Sequence, residues 1–299
     1  MSDTESWQLE VDPPVLLPGR MASFIVHFTP DRNLHARGVS AVLRCVERYR
    51  YDTSESNAGP DGTARTRSVT HTDHHEIHRL DFPLAGPLSM TAGQQHTWRF
   101  QLEVPGLGPA TFEGEELRCD WTLEAKVDLP MRLDERLERR VLVAQPTALL
   151  KAGVVDTGQY GLFEEAPTNL DAYPAQIRLE PVPICLGEPF GGSFTVETAE
   201  PIEVQEVRLE LRVHAQVSVS GGHSEEIAVQ YGRLEADGSR FGGPFAVHSF
   251  NADPVDAWLP SIDLPHGSAR AVFHVILARA WAPDLHYVRD VALATTQVL

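Results

Sequence analysis

The segment with the most chemical potential is His71-Thr72-Asp73-His74-His75-Glu76-Ile77-His78. In an extended strand, His74, Glu76 and His78 share one face, with about 7 Å between successive side chains. Imidazole and carboxylate groups spaced in this way can chelate a borderline metal ion. A solvated strand face beside a flexible loop accounts for the same residues, and it is the interpretation we adopt. The sequence therefore predicts no catalytic, cofactor-binding or metal-binding residue, and a metal or small-ligand site in the His71–His78 region is the alternative.

Other catalytic devices are absent from the sequence. It contains no GxSxG nucleophile elbow, no GxxxxGK[ST] phosphate loop and no GxGxxG motif. The three cysteines, Cys45, Cys119 and Cys185, are far apart and form no CxxC pair, which predicts reduced thiols. We therefore expect a protein that is not an enzyme and needs no cofactor. A hydrolase on a β-sandwich scaffold stays open, because sequence cannot show whether two carboxylates face one cleft.

The charge balance restricts the partners. The formal net charge is −17, which disfavours nucleic acid and anionic membranes because both require a cationic surface. A neutral or basic protein partner fits better. No apolar run approaches the ~18 residues of a membrane span, and the acidic N-terminus lacks an apolar signal core. These features predict a cytoplasmic protein without a membrane span.

The elements around these residues follow a two-residue period. Apolar side chains alternate with polar ones from Trp121 to Leu129, which predicts a half-buried strand that ends at Pro130. A charged crossing follows at 132–140, for which we expect exposed ion pairs and at most one helical turn. The segment 270–293 repeats this pattern of strand, proline and charged crossing, with Trp281 to His286 aligned on Leu129 to Asp134. This repetition indicates two copies of one domain.

The remaining strands and connections support the same interpretation. Ser193 to Val196 matches Ser23 to Val26, and the segment 204–219 is the clearest alternating strand. The segment 53–70, rich in Ser, Thr, Gly and Asp, predicts a mobile surface loop. We expect four tryptophans to anchor the cores, and we expect Trp7 either to pack on the sandwich or to contact a partner. The four are Trp98, Trp121, Trp258 and Trp281.

The predicted fold is all-β, with two tandem antiparallel immunoglobulin-like β-sandwiches. Many short alternating segments separated by Pro and Gly are typical of such sandwiches, and helical periodicity is nearly absent. We place the N-terminal sandwich at residues 1–146 and the C-terminal sandwich at residues 175–299. The Pro- and Gly-rich segment 147–174 is the predicted connector.

The order of these motifs resembles an arrestin N-terminal domain followed by an arrestin C-terminal domain. The residues that carry the resemblance are Leu17-Pro18-Gly19, the segment from Trp98 to Pro105, and the segment from Trp121 to Asp134. The resemblance covers the chain from about Leu9 to Leu293. The compact length is similar to the bacterial branch that includes the sporulation-control protein.

The resemblance implies a non-enzymatic adaptor or scaffold that binds protein partners through concave sheet faces and loops, in bacterial regulation. Animal receptor-binding arrestins use cationic side chains to sense phosphorylated receptors. Ser2 to Leu17 contains no lysine or arginine, so the resemblance does not extend to phosphate sensing.

Overall fold

The computed structural model describes residues 7–58, 64–131, 133–147, 150, 160–161, 175–197, 200, 202–235, 240–241, 247–255, 257–279, 281–282 and 284–295. No α-helix occurs among these residues, so the all-β class is confirmed. The described part of the chain accordingly contains no apolar helix of membrane-spanning length. Most of the predicted connector lies outside the described residues, and the predicted domain boundaries stay a prediction.

Eleven strands precede residue 145. They are β1 (Trp7–Asp12), β2 (Val15–Leu16), β3 (Met21–Phe28), β4 (Leu34–Ala36), β5 (Gly38–Ala58), β6 (Ala64–Ala85), β7 (Leu88–Met90), β8 (His96–Glu103), β9 (Phe112–Glu113), β10 (Leu117–Asp128) and β11 (Glu135–Val143).

Thirteen described strands follow. They are β12 (Tyr160–Gly161), β13 (Ala175–Glu180), β14 (Ile184–Cys185), β15 (Phe190–Val196), β16 (Ile202–Glu203), β17 (Glu206–Val217), β18 (Ser224–Glu235), β19 (Arg240–Phe241), β20 (Val247–Ala252), β21 (Ile262–Leu264), β22 (Gly267–Ala278), β23 (Leu285–Val291) and β24 (Leu293–Ala294).

The chain divides into two compact units, and each unit is assembled from three segments of the sequence. Unit 1 contains Met1–Phe112, Arg118–Ala144 and the short segment Leu264–His266, and unit 2 contains the rest, including Glu113–Leu117. Each unit pairs a three-stranded sheet with a larger one. Unit 1 has the orders β1-β3-β8 and β2-β11-β10-β5-β6, and unit 2 has β13-β15-β20 and β12-β23-β22-β17-β18.

The core of unit 1 lies between its two sheets. Every second residue of β10 is buried, as the alternation predicts, and Trp121 is fully buried with its Nε1–H donated to the carbonyl of Pro109 at 2.8 Å. Trp7 is 4% exposed and packs on Phe28 with ring centroids 4.3 Å apart. Trp7 therefore contributes to the core of the sandwich.

Two turns at equivalent places in the units hold a residue in the left-handed backbone region. Met131 follows β10 with φ 60° and Trp281 follows β22 with φ 62°, and both side chains are fully exposed. The prediction that Trp281 anchors a core is wrong. In unit 1 an aspartate six residues beyond the strand end, Asp134, accepts the N–H of Leu129. Asp284 does the same for Arg279 in unit 2, so Asp284, rather than His286, takes the place of Asp134.

Candidate functional site

Strand β6 carries the segment His71–His78, and its register with β5 separates the three residues that were expected to share a face. Glu76 pairs with Val46 and His78 pairs with Cys45, so Ile77 is an extra residue and forms a β-bulge. Beyond the bulge the alternation is inverted. His78 therefore lies on the core side, where its ring stacks on Trp121 at a centroid distance of 5.9 Å.

The two residues that remain on the outer face are next to cations. His74 pairs across the ladder with Arg48, and Glu76 lies 3.8 Å from the guanidinium of Arg79. Among the described residues, no group of three or more His, Cys, Asp or Glu side chains could hold a metal ion. The geometry expected for His74, Glu76 and His78 is therefore wrong, because a bulge lies between the second and the third.

The inner face of the same ribbon is built from aromatic and hydrogen-bonding side chains. Tyr51 stacks on His71 with centroids 5.4 Å apart and donates its hydroxyl to Asp73 Oδ2 at 2.9 Å. This hydrogen bond, together with burial, raises the pKa of Tyr51. The oxygen of Thr53 lies 2.7 Å from His71 Nε2. These contacts tie β5 to β6 well past the end of the sandwich core.

The predicted surface loop at 53–70 is therefore wrong over its described residues. Strand β5 continues to Ala58, and β6 begins at Ala64. The Pro-Asp-Gly turn at 60–62 lies outside the described residues. The polar composition suggested a loop, whereas both faces of this two-stranded ribbon tolerate polar side chains because it extends beyond the core.

The outer edge of β6 is a free backbone edge. Strand β6 is 22 residues long and is the last strand of its sheet, whereas β10 has 12 residues. No backbone hydrogen bond joins β6 to any described strand other than β5. A long unpaired edge of this kind presents N–H and C=O groups that can pair with another chain.

Pro83 shows which residues of β6 face this edge. Proline has no N–H, so Pro83 can pair with Ser40 only at a position that points away from β5. Alternate residues in an antiparallel pair share this direction. Counting from Pro83 across the bulge places the N–H groups of Thr70, Thr72 and His74 on the free edge.

The charged crossing at 132–140 forms strand β11 from Glu135 onwards, and its described residues contain no helical turn. Asp134 accepts a hydrogen bond from Lys126 Nζ at 2.8 Å, and Arg140 Nε lies 2.9 Å from Asp120. The hydrogen bonds from Lys126 and from the backbone of Leu129 lower the pKa of Asp134 to about 2. Ion pairs dominate this surface, and each contributes little because the partners are partly exposed.

A cysteine pair and a carboxylate that could in principle react are buried in unit 1, and each already has a hydrogen-bonding partner. Cys45 and Cys119 are fully buried with sulfur atoms 3.5 Å apart. The hydrogen bond to Cys45, followed by burial, raises the pKa of the Cys119 thiol well above its ordinary value, so Cys119 is a poor nucleophile. The carboxylate of Glu47 is also fully buried, and it accepts the backbone N–H of His266 at 3.0 Å and lies 2.9 Å from Nδ1 of that residue.

The comparison with known families gives a match to the N-terminal part of the chain. Residues 17–149 match the model of the arrestin (or S-antigen) N-terminal domain. The matched segment contains β5, β6, β10 and β11 together with the bulge at Ile77. No curated protein matches the chain.

Proposed function

We propose that this chain, whose residues 17–149 are arrestin-like, is a non-enzymatic adaptor that binds an extended segment of a protein partner along the free edge of β6. The match to the arrestin N-terminal domain supports an adaptor or scaffold role. The single observation that carries the binding mode is the 22-residue edge strand with no backbone partner on its outer side in the described structure.

Such an edge binds a partner when an extended segment of the partner pairs with it as a further strand of the sheet. Main-chain hydrogen bonds supply the affinity, and the side chains at alternate positions supply the specificity. Strands in globular proteins usually have about 5–6 residues and exposed edges are usually kept short, so an edge of this length is unusual. The exposed positions 72–76 include one histidine on each face of the strand, His74 and His75, which a neutral segment can contact.

The net charge of the chain bears on the charge of its partner. With a formal charge of −17, the chain attracts a neutral or basic partner at long range more than an acidic one. We further propose that the protein acts in the cytoplasm and belongs to the bacterial branch of arrestin-like proteins that includes the sporulation-control protein.

The test is a matched pair of substitutions at one edge position. Thr72→Pro removes an outward N–H, and Thr72→Ala removes the side chain but keeps the N–H. Crosslinking in cell extract with mass-spectrometric identification supplies the partner, and calorimetry with the purified partner measures affinity. We expect Thr72→Ala to bind within about twofold of wild type and Thr72→Pro to bind at least about tenfold more weakly, because a main-chain hydrogen bond is lost and an acceptor is left unpaired.

Two outcomes contradict the proposal. One is a Thr72→Pro variant that folds as wild type and binds the purified partner with unchanged affinity. The other is a crosslinked partner whose contacts all lie outside β6.

A further inference from the structure

The three-stranded sheets of the two units have corresponding positions, which the strand pairing fixes. In unit 1, Ser23 of β3 pairs with Asp12 and with Gln101. In unit 2, Gly191 of β15 pairs with Glu180 and with Asn251. Each set lies four residues after a turn glycine with positive φ, Gly19 or Gly187.

Gly191 therefore occupies the place of Ser23, and Ser193 occupies the place of Ile25. The sequence alignment of Ser193 with Ser23 is wrong by two residues. The strand alternation is unchanged by an error of two, so sequence periodicity could not reveal it.

In unit 1 the outer face of this sheet is filled by its own hydrogen bonds. Gln101 Nε2 donates to Ser23 Oγ at 3.1 Å, and His27 Nδ1 lies 2.8 Å from Thr97 Oγ1. His27 Nε2 is also 3.4 Å from Glu10. The polar groups of this face are largely satisfied within the sheet.

In unit 2 the corresponding face is an open groove. Its volume is about 660 Å³, within the range of about 300–1,000 Å³ that is typical of small-ligand sites. Five polar side chains line it, and none makes a side-chain hydrogen bond or ion pair to another described residue. They are Arg178, Glu180, Ser193, Ser249 and Asn251.

Two replacements distinguish this groove from unit 1. Gly191 has no side chain and Asn251 lies close over it, since a Cβ at position 191 would lie 2.8 Å from the Phe250 carbonyl oxygen and 2.9 Å from Asn251 Oδ1. Ser193 replaces an isoleucine with a shorter hydroxyl side chain. The backbone approach at Gly191 leaves Asn251 at the groove wall without the hydroxyl partner that Gln101 has in unit 1.

The lining groups define the chemistry of the occupant. The strand pairing places Arg178, Ser193 and Ser249 in one row across the sheet. In the next row, about 7 Å away, Glu180 and Asn251 flank Gly191. The guanidinium donates two parallel hydrogen bonds, the carboxylate accepts two, and the amide and hydroxyls do both. The one positive and one negative side chain balance, so a strongly charged ligand gains little from this groove.

We propose that this groove binds a neutral ligand with vicinal hydroxyl groups, namely a saccharide. Adjacent hydroxyls, each a donor and an acceptor, match the paired donors of Arg178 and the paired acceptors of Glu180. A sugar ring placed between the two rows, which are about 7 Å apart, brings its hydroxyls within reach of both.

The experiment uses the full chain and ligand-observed NMR with a panel of neutral disaccharides: maltose, cellobiose, xylobiose and N,N′-diacetylchitobiose. We expect at least one to bind with a dissociation constant of about 1 mM or lower. Asn251→Ala weakens that binding by at least about fivefold, because one side of the hydroxyl contact is lost. The matched change Gln101→Ala, at the corresponding position of unit 1, leaves it unchanged.

A second variant fills the groove. Ser193→Ile restores the unit 1 residue and abolishes binding, while circular dichroism and the thermal midpoint show that the sheet is intact. The proposal is overturned if none of the disaccharides binds, if binding survives Asn251→Ala and Ser193→Ile, or if inorganic phosphate binds the groove more tightly than the sugars. It is also overturned if a protein partner occupies the groove. None of these outcomes depends on the free edge of β6.

Discussion

His274 makes the stability of unit 2 sensitive to acid in a calculable way. It lies on β22, is 2% exposed, and pairs with Glu210 on one side and Val288 on the other. Burial is the largest cause that lowers its pKa from 6.5 to about 4, and the charge of Arg212 lowers it further. The nearby carboxylates of Glu210 and Glu226 partly oppose this shift.

The direction of the pH dependence follows from linkage. In the unfolded chain the imidazole binds a proton below its ordinary pKa of 6.5, whereas in the folded chain it stays neutral until about pH 4. The unfolded state is therefore favoured progressively as pH falls from 6.5 to 4. At about 1.4 kcal/mol for each tenfold change in proton affinity, the loss from this residue is at most about 3 kcal/mol.

The assay is denaturant unfolding of the wild type and of His274→Gln and His274→Phe at several pH values between 7 and 4. Neither replacement titrates. Relative to each variant, we expect the free energy of unfolding of wild type to be about 3 kcal/mol lower at pH 4 than at pH 7. A difference between wild type and both variants that stays constant over this range refutes the reasoning.

Three further predictions follow from packing and charge. Gly192→Ala places a Cβ 2.1 Å from a backbone carbonyl oxygen and is expected to cost about 3 kcal/mol or more in the free energy of unfolding, whereas Gly86→Ala, with nothing within 4 Å, stays within about 0.5 kcal/mol. Trp7→Ala is expected to cost about 3–5 kcal/mol in the free energy of unfolding and so to lower the thermal midpoint. Trp281→Ala changes a fully exposed side chain and leaves the midpoint nearly unchanged. Equal midpoints for the two variants would contradict the assigned burial. Asp134→Asn lowers the free energy of unfolding by about 1 kcal/mol above pH 4. That difference vanishes as pH falls from 3.8 to about 2, because the pKa of the folded carboxyl is lowered to about 2; a pH-independent difference would exclude the ion pair as its cause.

The alternating apolar pattern carried most of the fold prediction. The twelve residues of β10 alternate between buried and half-buried positions, and β17 pairs along its length with β22, as the period of two indicates. Such a pattern predicts a strand and its buried face because both depend on the chain's own alternation. The repeat was visible for the same reason.

The features that the sequence did not predict depend on two strands together. The bulge at Ile77 is an extra residue relative to β5, and a single strand carries no signal for its partner's register. A Gly-Gly pair at 191–192 within an alternating strand is the one local sign of the groove, since glycine in a strand interior often marks a close backbone approach. Pro83 is likewise the only local sign of which amides face the free edge.

Residue-resolved amide hydrogen exchange of β6, measured with and without the crosslinked partner, tests the central claim most directly. In the free chain we expect the amides of Thr70, Thr72 and His74 to exchange quickly and those of His71, Asp73 and His75 slowly. Partner binding should protect the first set and remove the alternation. Equal protection of both sets in the free chain, or a bound partner that leaves the first set exposed, would contradict the account.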